Sequence, residues 1–212
     1  MREHLELHTD KNIKTWFENY QLALDTYGIK KAKRIWNMDE SRVWIGIPSA
    51  EEIIVPYHIT ELYTGGPENR KSLTVIEAIS AAGQHFLAFV IAPGKEIMEA
   101  WINNSLSGAD VVTLIDTGYI NYDVIMQWLD YFIEQIGVGS TQPWNLLLCN
   151  GYVTHKYKPF TVKAAEHHIL VILYPSHKTH ALQPLNVKCF WRWNQTHQKA
   201  LHYTVRVLTL SI

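Results

Sequence analysis

The chain has 212 residues, with 19 Lys and Arg against 20 Asp and Glu, a net charge of −1, and 47% hydrophobic and 18% charged side chains. This balance excludes a disordered chain, which buries too little apolar surface to offset its conformational entropy, and a protein whose overall basicity draws it to nucleic acid. One folded domain around a single core is expected at this size.

In chain order, residues 12–34 place Ile13, Trp16, Phe17, Tyr20, Leu22 and Ala23 near a 3.6-residue period and predict an amphipathic lead-in helix. Short β-like runs at 34–38, 42–47 and 52–55 follow, punctuated by Pro48 and Pro56. Residues 73–80 and 86–91 flank Ala82-Gly83-Gln84 and predict a hairpin. The pattern then changes: a helix over 122–136, an apolar strand over 144–148, a helix over 156–168, a buried strand over 169–174 and a helix over 187–202. Alternation of that kind requires parallel strands joined by crossover helices. Three antiparallel strands followed by a parallel β-α-β-α order predict an α/β fold, a ribonuclease H-like mixed sheet flanked by helices. The implied organisation is a linker helix over 1–33, the domain over 34–204 and an atypical end over 205–212.

Apolar runs such as 86–91 and 169–174 fall far short of the roughly 20 residues that cross a bilayer, so no membrane span is expected. The amino terminus mixes both signs of charge and lacks the apolar core of a secretory signal, which predicts an intracellular protein. Cys149 and Cys189 are accordingly expected as reduced, buried thiols. Any nucleic-acid contact must come from local basic patches: Lys30, Lys31, Lys33 and Arg34; Arg70 and Lys71; or Lys156, Lys158 and Lys163. Each patch taken alone is more often just a solvated surface.

Four collinear segments carry a resemblance. They are Asn37-Met38-Asp39-Glu40-Ser41, Pro67-Glu68-Asn69-Arg70-Lys71-Ser72-Leu73, Leu146-Leu147-Leu148-Cys149-Asn150-Gly151 with His155, and Pro175-Ser176-His177 through His180 to Leu182-Gln183-Pro184-Leu185-Asn186. Over roughly residues 10–200 the chain resembles the DDE superfamily endonuclease domain of pogo-like transposases and centromere protein B relatives, especially fungal ones. The resemblance implies a nuclear protein that cuts and rejoins DNA by in-line attack at phosphorus, with divalent cations, Mg²⁺ in the family, held by three carboxylates.

Asp39 matches the first of those acids and is the one metal ligand retained. The second and third positions are Asn150 and Asn186, at the family spacing. An amide has the shape of a carboxylate without its charge, and a unit-charge pair at 4 Å is worth about 4 kcal/mol at an effective dielectric near 20. Tight metal binding is therefore not expected. Glu40 offers no rescue, because strand alternation points it away from Asp39. The family motifs also set His155 and His180 along the old cleft, where with Arg70, Lys71, Lys156 and Lys158 they would meet nucleic acid.

Three functions stay open: an active metal-dependent transposase, a catalytically impaired domain that contacts DNA weakly and without sequence preference, or a protein-interaction module using some of the eight tryptophans, self-association included. The impaired DNA-binding domain is the expectation carried forward.

Overall fold

The computed structural model describes residues 2–45, 71–86, 88–96, 111–116, 120–176 and 178–189. Helix α1 (Arg2–Thr26) ends in a Schellman turn: Gly28, at φ 63°, donates to Asp25 O, and Ile29 N donates to Leu24 O at 2.9 Å. Glycine fits the left-handed position without a Cβ penalty, and the turn drives Ile29 into the interior. A 3-10 turn (Ala32–Arg34) then leads into the sheet.

Six strands form that sheet: β1 (Ile35–Ile45), β2 (Lys71–Ser80), β3 (Phe89–Pro93), β4 (Val111–Ile115), β5 (Asn145–Cys149) and β6 (Ile169–Leu173), in the order β4-β3-β2-β1-β5-β6. β1, β2 and β3 are antiparallel, β5 lies parallel to β1 and β6 parallel to β5, as the ribonuclease H-like order requires. Two details differ from the sequence expectation. β1 is one continuous strand instead of separate runs at 34–38 and 42–47, because pairing with β2 from Trp36↔Ser80 to Ile45↔Lys71 carries it through the polar Asp39-Glu40-Ser41 stretch. β4, which local pattern did not reveal, adds parallel to β3 at the sheet edge.

Helix α2 (Tyr122–Ile136) is capped at both ends: Asn121 Oδ1 accepts from Val124 N at 2.9 Å, and Gly137 closes it in the left-handed region. Its spacing buries Val124, Ile125, Trp128, Leu129 and Phe132 on one side. The helix expected over 156–168 is a 3-10 turn (Val153–Lys156) and then helix α3 (Lys158–Glu166), with Pro159 in its first turn. Helix α4 (Thr179–Leu182) and a π-helical turn (Leu185–Cys189) follow β6. The rest of the helix expected over 187–202, the strand at 52–55 and the end over 205–212 lie outside the described residues.

Alternation along β5 divides the core in two. Leu147 and Cys149 join Trp36, Met38, Phe89, Trp128 and Phe160 beneath α2 and α3, whereas Leu146 and Leu148 join Ile29 and Tyr174 on the other face. α1 covers that second face through Trp16, Tyr20 and Leu24, with Trp16 Nε1 donating to Leu173 O at 2.7 Å and its ring stacked on Tyr174. The segment read as a lead-in helix thus packs on the sheet. Cys149 is a free, buried thiol whose pKa is raised well above its ordinary value, first by burial and then by the charges of Glu40 and Asp39.

Candidate active site

β1 and β5 run parallel in register Asn37↔Leu148, so the residues after Cys149 emerge beside Asp39. Asp39 is 3% exposed. Asn150, the first residue beyond β5, donates through Nδ2 to Asp39 Oδ1 at 3.0 Å and to Glu40 Oε2 at 3.4 Å. Its Oδ1 accepts from Tyr152 N at 3.0 Å. A backbone N–H can only donate, so that bond fixes which end of the amide is oxygen and leaves the N–H₂ end facing the carboxylates.

His155 completes the cluster. Nδ1 lies 2.9 Å from Asn150 Oδ1 and 3.1 Å from Asn150 O, both acceptors, so this nitrogen carries the proton. Nε2 stands 3.0 Å from Glu40 Oε1, an ion-pair distance when the ring is protonated, although neither atom has a well-aligned hydrogen-bond partner. Burial, and then the charge of Glu40, push the Asp39 pKa up to about 6, with hydrogen bonds from the Glu40 backbone, Gln183 and Asn150 restraining the rise.

The carboxy-terminal segment docks here through carboxamides. Gln183, fully buried, donates from Nε2 to Met38 O at 3.1 Å, and Leu185 N donates to Asn37 Oδ1 at 3.1 Å. Asn37 Nδ2 in turn reaches Leu148 O at 3.2 Å, so one side chain links β1, β5 and the π-helical turn. Asn186 is exposed and donates from Nδ2 to Gln183 Oε1 at 3.2 Å; it reaches the Asp39 side of the molecule through Gln183 and sits inside the turn.

Several sequence expectations change. Glu40 does point to the other face of β1, yet it belongs to the cluster, because Asn150 lies past the end of β5, where its amide can reach both faces. His155, expected along the cleft, is fully buried with its ring nitrogens beside Asn150 and Glu40. Lys156 and Lys158 are exposed, and Lys156 folds back toward Gly151, its Nζ 3.8 Å from where a Cβ there would stand. Lys163 is tied to Asp130. Arg70 and His177 lie outside the described residues, as do the side chains of Lys71 and His180. Sequence reasoning also passed over Gln183, although it stands inside the quoted motif; Glu77, set aside from sequence because its segment supplies no ligand in the family, faces Asp39 in the β1–β2 register, and burial raises its pKa.

With this geometry in hand, similarity to known proteins can be weighed. The family described as DDE superfamily endonuclease matches residues 69–206. Over 124 residues the chain is 29% identical to the MFS-type transporter clz9 of Cochliobolus lunatus, a stretch covering 58% of this chain and 14% of that protein. Among the described residues no helix is long and apolar enough to cross a membrane. Two solved structures share the fold. The Mos1 strand transfer complex has a TM-score of 0.57 at 13% identity, covering 88% of this chain and 48% of that one. A pre-cleavage Mos1 transpososome has a TM-score of 0.54 at 14% identity, covering 83% and 46%. The chain therefore spans under half of the Mos1 chains and a small part of the curated relative.

Proposed function

The chain belongs to the DDE superfamily endonuclease family, and from that premise we propose that it is a transposase-derived, DNA-contacting domain of the nucleus whose cutting centre is silent. One observation carries this: the hydrogen-bond donor face of Asn150 occupies the Asp39 carboxylate. The cations implied by the family need oxygen ligands and net negative charge. Here the Asn150 oxygen is turned onto Tyr152 N and His155, Asn186 donates to Gln183, and no three His, Cys, Asp or Glu side chains among the described residues form a group able to hold a metal ion. Among the described residues, this donor set argues against a two-metal centre.

What these side chains do is bind one another. Asn150 satisfies two carboxylates that would otherwise repel, and His155 faces the outer one, so the cluster joins β1, β5 and the Val153–Lys156 turn without an added cation. DNA contact then falls to lysine and arginine at the surface, Lys156 and Lys158 among them. Such contact is with phosphate, indifferent to sequence and steeply salt-dependent. The described tryptophans give a protein-docking function no support: Trp36 and Trp128 are buried, and Trp16 and Trp144 are half-buried in aromatic stacks.

The test is cleavage of supercoiled plasmid by the purified chain with Mg²⁺ or Mn²⁺, using Asp39→Asn as control. No nicking is expected from either protein. Metal-dependent cleavage by the parent that disappears in Asp39→Asn overturns the silent centre.

A further inference from the structure

The amino end of β5 lies one five-residue strand away from Asn150, on the order of 15 Å. There an open groove of about 260 Å³ runs between the 3-10 turn before β1, the β2–β3 turn, the carboxyl end of α2 and the start of β5. Lys33, Arg34, Gln84, Gln135, Gln142 and Asn145 supply its polar wall, and no Asp or Glu among the described residues lines it. Lys30 and Lys31, both exposed, lead into the turn that presents Lys33 and Arg34, and among the described residues none of these four cations is in an ion pair. The carboxyl end of α2 brings about half a negative charge, which the two lining cations outweigh.

Trp36 and Phe86, with ring centroids 4.6 Å apart, also line the groove.

We infer that this groove is a phosphate-binding site for the backbone of a nucleic-acid strand, separate from the Asp39 cluster. This rests on the DNA-contacting function proposed above and says where the strongest contact is made. Electrostatics favours the groove over the Lys156–Lys158 surface. A phosphate near Lys156 must also approach Asp39 and Glu40, and Lys163 on the same side is already engaged by Asp130. The groove offers two cations, four carboxamides and, among the described residues, no acid, enough room for one phosphate and its sugar, and a run of lysines along which the strand can continue.

The experiment measures binding of a fluorescent random-sequence duplex to the full chain across a salt series. It compares the parent with Lys33→Glu/Arg34→Glu, with Gln135→Glu, and with Lys156→Glu/Lys158→Glu, with melting temperature recorded for each. The groove double variant is expected to lose about tenfold or more in affinity, and its slope of log affinity against log salt to fall by about 2, roughly one per lost phosphate contact. Gln135→Glu, an exposed change that keeps both cations, is expected to weaken binding severalfold at an unchanged melting temperature. Groove variants that bind like the parent while Lys156→Glu/Lys158→Glu loses binding would overturn the groove and leave the DNA-contacting function standing. A parent that binds no duplex even at low salt overturns that function, and the groove with it.

Discussion

The two ends of β5 treat charge in opposite ways. At the carboxyl end Asp39 and Glu40 are buried or nearly so, and their partners are internal: the Asn150 amide and His155. At the amino end Lys33 and Arg34 line an open groove with no acidic partner among the described residues. Charge closed on itself is taken up by internal partners, whereas charge left open at the surface adds little stability and is available to a ligand.

The largest effect expected from this contrast is at His155. Replacing it by Ala removes a fully buried ring and leaves Glu40 and Asn150 without their partner, which should cost about 3 kcal/mol in chemical denaturation. A change below about 1 kcal/mol would mean that the cluster is not closed in the way described.

Next comes Asn150→Asp, which exchanges a donor for a third carboxylate beside Asp39 and Glu40. A loss of about 2 kcal/mol is expected without metal. Mg²⁺ or Mn²⁺ should restore part of the melting temperature in this variant and leave the parent unmoved. Calorimetry with each ion tests both, and a parent whose melting temperature rises with Mn²⁺ would refute the closed cluster.

Asp39→Asn should have the opposite sign. The unfolded chain releases this proton near pH 3.8, while the folded chain holds it to about pH 6. Between those values the folded state binds more protons, so stability falls as pH rises and the penalty is complete above the window. Removing the charge should thus add about 2 kcal/mol at neutral pH and nothing below about pH 4, as read from the difference between variant and parent. A variant less stable than the parent at neutral pH would show that the ionised carboxylate is held favourably.

The smallest effect belongs to the open end. Lys33→Ala with Arg34→Ala should shift stability by only about 0.5 kcal/mol, the scale of surface charges near a helix carboxyl end. A loss comparable to that of His155→Ala would make these cations structural and erase the contrast.

Much of this was legible in sequence because it is governed by local periodicity. The helix over Tyr122–Ile136 and the strands around Leu146–Leu148 and Ile169–Leu173 follow from spacing and caps that need no distant partner. The motifs likewise marked Asp39, Asn150 and Asn186. β4 was missed because a five-residue apolar run has no periodicity of its own, and its pairing with β3 decides its state. Glu40 was set aside on a correct rule, since alternation assigns a face along a strand but does not describe a residue that reaches around the strand's end.

The amino-acid sequence by itself thus determined the order of most elements, the family motifs and the asparagines at positions 150 and 186, all of them properties of residue type and spacing. Only the tertiary structure decided how the remaining polar groups are used. The direction of the Asn150 amide depends on Tyr152 N, which must donate, and on a carboxylate more than a hundred residues away in sequence. The groove exists because four segments distant in the chain meet at one end of β5. Hydrogen-bond direction and charge neutralisation are settled by neighbours in space, and periodicity carries no information about them.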